Sequence, residues 1–475
     1  MVPTVESQPL FHNWQPSLSN WSTKLSGARQ QNTTGANIAT TKPEKSETSA
    51  NTETSDLRIF AKVWGFFLLV LILSTYPLWF VPPSSQMCLS VSLIPSIIPM
   101  SDGALVLPSI TLLIALIIAI AACNNRQLRI GWMMVAGSLL TSFLIDQHRL
   151  QPWAYQSLFY ALILCTMNAV SGRKWIMLLA ASVYVYSAAG KFDFQFQHTV
   201  GQDLLRVLAK FLGGLPFNLD ADTATRITLL FPTVELLAGL GLYLPKTRRL
   251  SVVVLVLMHI SLLILLGPWG LNHSRGVLLW NLMLMAQAYL LFWVRPATEP
   301  TSTEPITADH TTLTNSYSPM RSGATLFVKL LILLAIFCPL FERSGYWDHW
   351  TSWSLYSPHT SRAEIELHRS VRGKLDSEWT TFLEEDEDRD GWQRLSLESM
   401  SLGSRFVPIY PQARYQLAIA NQICSSKGLD SEVRVKLRGV ADRWTGKRSE
   451  SRLIGQKQIQ EACKDFWLNT GVTSD

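Results

Sequence analysis

Charged residues are scarce in this chain, at 16% of 475 residues, whereas apolar residues make up 48%. The mean hydropathy is positive, at +0.17. This composition excludes an ordinary soluble protein of this size and predicts a membrane protein. The net charge of +6 comes from scattered basic residues rather than from a basic cluster, so we expect no nucleic-acid partner.

Cysteine is also rare, and the spacing of the cysteines is not that of a metal site. The six cysteines contain no CxxC pair and show none of the spacings typical of a metal centre, so the sequence predicts no metal site.

The first 30 residues contain no apolar run, so we expect no cleavable signal peptide. Ser, Thr, Asn and Gln dominate residues 1–56, which predicts a disordered tail.

Long apolar stretches are what the chain does contain. We count about nine of the length that a bilayer core of about 30 Å requires. They predict an all-α polytopic membrane bundle, with a small α+β extramembrane domain at the C-terminal end. The predicted spans are 59–81, 104–123, 128–145, 155–172, 174–190, 227–244, 249–267, 276–294 and 323–341.

Changes in composition divide the chain into predicted segments. The apolar bundle is interrupted once by a stretch rich in Thr, Pro and Ser, which is typical of a linker. The predicted segments are a tail at 1–56, a transmembrane bundle at 57–296, a linker at 297–322, a last transmembrane helix at 323–341 and an extracytoplasmic domain at 342–475.

The C-terminal domain contains segments with the alternation typical of strands and segments with the spacing typical of helices. Its acidic run at 384–390 lacks the glycine and the ligand spacing of an EF-hand, so we expect a solvated loop. Cys424 and Cys463 are candidates for a disulfide if the domain lies outside the cytoplasm. Alternation and helical spacing predict strands at 363–370, 392–399 and 432–440, and helices at 411–426 and 456–468.

Short loops on one side of the predicted spans carry most of the Lys and Arg residues, which predicts that this side is cytoplasmic. The N-terminus then lies inside and the C-terminal domain outside, and we expect the inner membrane of a bacterium. The loop at 191–226 is basic but long, and long loops weigh less in this rule. Within it, residues 200–214 predict an interfacial helix, which is either a lid over the outer loops or an amphipathic connector.

Three outer-side loops combine ionisable and aromatic residues: 146–156, 190–198 and 267–276. Each begins at a helix end, so His148, Lys191 and His273 can converge around one pocket at the outer boundary. In this hypothesis Lys191 is a base or an anion-holding cation, His148 a proton carrier and His273 a second polar wall. Two alternatives stay open for Lys191. It is a headgroup anchor, or it pairs with a carboxylate and holds the loops together.

Arginines and acids in the same loops complete this hypothesis. Arg149 and Arg275 would orient an anionic or carbonyl-bearing headgroup. Asp193, two residues after Lys191, or Asp146, in another loop on the same side, would stabilise the Lys191 ammonium.

Two ionisable residues lie deeper in predicted helices. Glu235 precedes the turn at Thr247 by twelve residues, and His259 follows it by twelve. Equal distances from the turn of an antiparallel pair predict equal depth, so we expect the carboxylate and imidazole to meet within the membrane. The alternative is that these residues form ordinary interhelical hydrogen bonds that hold the bundle together.

Three segments carry a family resemblance. YSAAGKFDFQF (186–196) resembles the helix-end motif of the DoxX and MauE membrane proteins and that of the vitamin K-dependent carboxylase-like (HTTM) family. IDQHRLQPWAYQ (145–156) resembles a histidine-bearing loop of the carboxylase-like group. FPTVELLAGLGLYL (231–244) is similar to the E-x-x-x-G-x-x-L helix of DoxX-type proteins.

The resemblance implies redox-linked chemistry on a quinone or another lipid-soluble substrate at the outer membrane face. The carboxylase-like family implies Lys191 as the base and His148 as its support. DoxX and MauE proteins imply a quinone-handling or partner-binding module, with a membrane or periplasmic partner protein. The sequence lacks a recognisable propeptide-binding region, so protein glutamate carboxylation is not expected. A function of another class stays open, namely a non-catalytic scaffold that anchors the C-terminal domain to a partner.

Overall fold

The computed structural model describes residues 45–81, 89–94, 102–214, 220–294, 322–386 and 388–471. Within them, residues 46–471 belong to one compact unit that contains both the helices and a C-terminal sheet. Most of the predicted tail at 1–56 and of the linker at 297–322 lies outside the described residues. The described part of the tail, from Lys45 onward, is helical rather than disordered.

Helices follow one another throughout the apolar part of the chain. Short polar side chains start several of them, as where Asn168 accepts a hydrogen bond from the Ser171 backbone N–H at the start of α6. The helices are α1 (Lys45–Ser74), α2 (Tyr76–Phe80), α3 (Asp102–Ala121), α4 (Asn125–Ile145), α5 (Pro152–Thr166), α6 (Ala169–Lys191), α7 (Phe194–His198), α8 (Val200–Phe211), α9 (Ala221–Thr228), α10 (Leu230–Gly241), α11 (Arg248–Leu266), α12 (Arg275–Ala288) and α13 (Ser322–Phe337).

Fewer helices are long enough to cross a membrane than we predicted. In the described residues six helices are sufficiently long and apolar, or seven if Ala169–Lys191 and Phe194–Phe211, bent by 68°, count as one crossing. All nine predicted segments contain helix, but α5 has 15 residues. At about 1.5 Å per residue such a helix falls short of a core of about 30 Å. The architecture is compatible with an integral membrane protein, and the count of about nine spans is not confirmed.

The C-terminal part combines a small antiparallel sheet with helices. The strand order is β2-β1-β3-β4, and α16 packs against β1 and β3. Ala363, Ile365 and Leu367 alternate on the buried face of β1. The strands are β1 (Arg362–His368), β2 (Trp392–Arg394), β3 (Val433–Arg438) and β4 (Glu450–Ile454), and the helices are α14 (Ser377–Thr380), α15 (Leu397–Arg405), α16 (Ala413–Lys427) and α17 (Gly455–Lys464).

The secondary structure of the predicted domain is wrong in two details. The strand predicted at 392–399 ends at Arg394, because Ser396 caps helix α15 through the Ser399 backbone N–H. Strand β4 was not predicted, since its exposed residues lack a clear alternation. Cys424 and Cys463 are buried free thiols in this structure rather than a disulfide.

The sheet domain docks directly onto the helix ends of the bundle. Gln147 contacts the Asn469 carbonyl, and the Arg443 guanidinium donates to the carbonyls of Ala189 and Phe192. The ring of His273 packs edge-on against Tyr356, at 5.8 Å between centroids. All three loops singled out in the sequence therefore lie at the end of the bundle that carries the C-terminal domain.

Candidate functional site

Helices α6 and α10 approach each other closely at Gly239. A Cβ atom built on Gly239 would lie 2.9 Å from Tyr184 Cβ and 3.3 Å from the Val185 backbone nitrogen. Glu235 lies one turn before Gly239 on the same face of α10, and Lys191 lies two turns after Tyr184 on the same face of α6. The close contact of the two helices therefore brings the two charged side chains together.

Lys191 forms a buried ion pair. The side chain of this last residue of α6 extends back along the helix, as helical side chains do. Its Nζ donates to Glu235 Oε2 at 2.8 Å, to Ser187 Oγ at 2.7 Å and to the Ser187 carbonyl at 3.1 Å. Lys191 therefore pairs with Glu235 rather than with Asp146 or Asp193, and its ammonium is buried inside the bundle.

His259 belongs to a second polar group beside this pair. Its Nδ1 lies 2.9 Å from Asn281 Oδ1, and its Nε2 lies 3.1 Å from the Tyr184 hydroxyl. Because the amide oxygen only accepts, Nδ1 carries the proton and Nε2 accepts from Tyr184. The direct hydrogen bond expected between His259 and Glu235 is not among those of the described residues. Equal depth leaves rotation about the helix axes free, and this rotation turns each group toward another neighbour.

Both polar groups line one cavity of about 110 Å³. Its other walls are mainly apolar, and Leu355 and Tyr356 reach it from the segment that follows helix α13. Tyr356 lines the cavity from a left-handed backbone conformation, with φ of 58°. The polar lining is Tyr184, Ser187, Lys191, Glu235, His259, Ser261, Asn281 and Tyr356.

A second cavity, of about 170 Å³, shares three wall residues with the first, namely Trp280, Leu355 and Tyr356. His273 lines this second cavity, and burial lowers its pKa. The predicted residues Lys191 and His273 are thus near neighbours, separated by a wall of aromatic and aliphatic side chains. They do not line one common pocket.

His148 lies in a different environment. Arg405 Nη1 donates to His148 Nδ1 at 2.9 Å, so Nε2 carries the proton and donates to the Pro408 carbonyl at 2.8 Å. Burial and the neighbouring Arg405 cation lower the pKa of His148 to about 3. The predicted convergence of His148 and Lys191 on one pocket is wrong, because helix α15 of the C-terminal domain takes the imidazole as a partner.

The other predicted binding residues are engaged elsewhere. Asp146 accepts from the His148 backbone N–H at 3.0 Å and from Arg405 Nη1 at 2.9 Å. Arg149 donates to the carbonyls of Leu78 and Trp79 and is fully buried. These two residues hold the domain and helix α2 in place.

Arg275 is exposed and lines a separate cavity of about 360 Å³ with Asn272 and Phe406. A role in orienting a headgroup beside Lys191 is not supported for Arg149 or Arg275, because neither lines the cavity that Lys191 lines.

Some residues of interest were missed from the sequence. Tyr184, Asn281 and Tyr356 looked like ordinary helix or interface residues, and only the crossing of three chain segments brings them together. Glu342, His349 and His359 also lie close to one another, all of them buried. The spacing of these three residues was visible in the sequence, but it matches no common metal motif.

Comparisons with protein-family models, curated proteins and solved structures found no match for this chain. The resemblance to the DoxX, MauE and carboxylase-like families therefore stays a prediction.

Proposed function

We propose that this chain is an integral membrane protein that binds a lipid-soluble molecule with an oxygen-bearing headgroup, such as a quinone, in the cavity lined by Lys191 and Glu235. The observation that carries the proposal is a charged pair on the wall of a mainly apolar cavity inside the bundle. Ionisable groups within membrane helices are costly to bury and are retained mainly where they function.

The size of the cavity excludes a whole lipid. An apolar cavity of roughly 150 Å³ accommodates benzene, so at about 110 Å³ the walls have to move outward to admit a single headgroup ring. An isoprenoid or acyl tail would leave between the helices, whose outer faces expose leucine and isoleucine to the lipid. Leu237, Leu257 and Ile264 are examples from α10 and α11.

The polar groups suit a headgroup that changes its protonation state. Lys191 can donate a hydrogen bond to a carbonyl oxygen, and Glu235 Oε1 has no hydrogen-bond partner among the described residues, which leaves an acceptor for a hydroxyl. Interconversion of a quinone and its quinol moves two electrons and two protons, and a Lys–Glu pair is able to take up and return protons. The electrons would come from a redox-active partner protein in the membrane or the periplasm.

Extraction of the purified protein tests the proposal. Organic extracts of wild-type protein should contain a quinone or another headgroup lipid at about one molecule per chain, detected by mass spectrometry. Lys191→Met and Leu262→Trp should lose it, since the first removes the cation and the second fills the cavity. Lys246→Met, in the exposed turn before α11, is the matched control and should retain it. Equal amounts of the quinone or lipid in extracts of wild-type and Lys191→Met protein would contradict the proposal.

A scaffold function is the second candidate, and a specific observation favours it. Asp146, Gln147 and His148 at the helix ends are all hydrogen-bonded to the C-terminal part, which fixes that domain to the bundle. Loss of bound molecule in Lys191→Met with unchanged cellular function would favour the scaffold over the binding function.

The proposed orientation has the N-terminus in the cytoplasm and the C-terminal domain outside the inner membrane. A C-terminal alkaline phosphatase fusion should then be active and a C-terminal green fluorescent protein fusion dark. The reverse pattern would overturn the orientation.

A further inference from the structure

A buried cluster of two histidines and a glutamate lies in the segment that links the last membrane helix to the sheet. Glu342 follows the 3₁₀ turn Cys338–Phe341, and His359 precedes strand β1. Glu342 Oε1 lies 2.8 Å from His349 Nδ1, and Glu342 Oε2 lies 2.9 Å from His359 Nε2. All three side chains are less than a tenth exposed.

We propose that Glu342, His349 and His359 bind a divalent transition-metal ion such as Zn²⁺. Two imidazoles and one carboxylate are a ligand set that zinc uses, with water in the fourth position. One donor atom from each residue lies within 4.8 Å of the others. Glu342 Oε1 lies 2.8 Å from His349 Nδ1 and 3.0 Å from His359 Nε2. Zinc bonds of about 2.1 Å in a tetrahedron separate neighbouring donors by roughly 3.4 Å, so each of these two Glu–His pairs needs to open by only about half an ångström.

The surroundings of His359 support this assignment. Its second ring nitrogen, Nδ1, lies 2.7 Å from Asp193 Oδ2, and Asp193 in turn accepts from Arg343 Nη2 at 2.8 Å. Metal-bound histidines usually donate their other N–H to such a carboxylate, which fixes the ring and strengthens it as a ligand. Asp193 therefore acts as the outer partner of His359, not as a partner of Lys191.

The charges and the access route also fit a cation. The carboxylates of Asp193 and Glu342 lie at the two ring nitrogens of His359, and Arg343 pairs with Asp193. A cavity of about 350 Å³ reaches Glu342 and is lined by polar residues such as Asp348 and Thr360, so it gives an ion a path from water. Because Asp193 caps helix α7, a bound metal would also fasten the C-terminal segment to the bend between α6 and α8.

Metal analysis of the purified full-length protein tests the proposal. After removal of free metal, elemental mass spectrometry should find about one transition-metal ion per chain. Glu342→Gln and His349→Ala should reduce the content at least tenfold, and Asp193→Asn should weaken retention against a chelator about tenfold or more. Asp388→Asn, in the exposed acidic loop at 384–390, is the matched control and should keep the metal.

A second variant tests residue 349 as a ligand without relying on the folding of His349→Ala. His349→Cys offers a thiolate in place of the imidazole, and a cobalt-loaded sample should gain a thiolate-to-cobalt absorption band that wild type lacks. That band would establish residue 349 as a ligand even if His349→Ala does not fold. Wild-type protein without stoichiometric metal, or a cobalt-loaded His349→Cys sample without the band, would overturn the proposal. The cluster would then be a hydrogen-bonded network with a proton between Glu342 and Asp193.

Discussion

Ionisable groups are buried at two places, in different settings. One is the turn that carries Asp146, His148 and Arg149, and the other is the end of helix α6 that carries Lys191. The three residues of the turn bond to the C-terminal domain and to helix α2, and they line neither of the two neighbouring cavities. Lys191 is also paired, but its pair lies on a cavity wall. Burial with a partner therefore indicates a structural role, unless space for a ligand adjoins the pair.

The largest expected effect follows from removing charge at the turn. Asp146→Asn keeps an oxygen for the His148 backbone N–H but removes the anion that pairs with the buried Arg405. An unpaired buried charge costs about 3–5 kcal/mol, so the denaturation midpoint in detergent should fall markedly.

The matched control is Asp203→Asn, whose partner Arg206 is exposed. This surface pair should contribute less than about 1 kcal/mol. Equal midpoints for the two variants would mean that the turn does not hold the C-terminal domain to the bundle.

Acid should loosen the same junction by an intermediate amount. Folding lowers the pKa of His148 from 6.5 to about 3, so the unfolded state binds more protons below pH 6.5 and stability falls as the pH falls. At about 1.4 kcal/mol per unit, His148 contributes a loss of about 2 kcal/mol between pH 7 and 5.

His148→Gln keeps a donor for the Pro408 carbonyl but does not titrate. The difference in unfolding free energy between pH 7 and pH 5 should therefore be smaller in this variant than in wild type. A wild-type difference that persists unchanged in His148→Gln would assign the acid sensitivity to another group.

At the cavity, removing both charges should affect binding far more than stability. Lys191→Met combined with Glu235→Met replaces a buried ion pair by apolar side chains, which is often neutral or stabilising. The double variant should match wild type in thermal unfolding within about 1.5 kcal/mol and should lose the bound molecule. A double variant that is strongly destabilised would make the pair structural, like the Asp146 network.

The smallest expected change in stability is that of Lys191→Arg. Arginine keeps the positive charge beside Glu235 and stays protonated, so it cannot serve as a base. Stability should change by less than about 1 kcal/mol, while cellular activity should fall to the level of Lys191→Ala. If the arginine variant is as active as wild type, Lys191 only binds the headgroup, and proton exchange by this residue is refuted.

Much of the architecture was readable from the sequence because periodicity is a local property. Apolar runs predicted a helical membrane bundle, and alternation predicted strands β1 and β3 within one or two residues. The number of membrane crossings was harder to predict, since helix α5 is apolar but ends after 15 residues. Composition measures how apolar a segment is, whereas helix caps and packing fix its length.

The residues of the candidate site were readable one by one, but their grouping was not. Lys191, Glu235 and His259 stood out as ionisable groups in or beside apolar helices, which is a statement about sequence alone. Which of them meet depends on rotation about the helix axes, and that rotation is set by contacts such as Gly239 against Tyr184. Sequence distance from a turn gives depth along the membrane normal and leaves that rotation free.

By itself, the sequence determined that the chain is an apolar bundle of helices joined to a small domain, because burying apolar surface depends on local composition and spacing. Only the tertiary structure decided that Lys191 pairs with Glu235, that His148 is held by Arg405, and that Glu342 meets two histidines. These are contacts between segments far apart in the chain or across irregular turns. Their geometry follows from packing, since a side chain's partner is whatever the neighbouring backbone brings within hydrogen-bond distance.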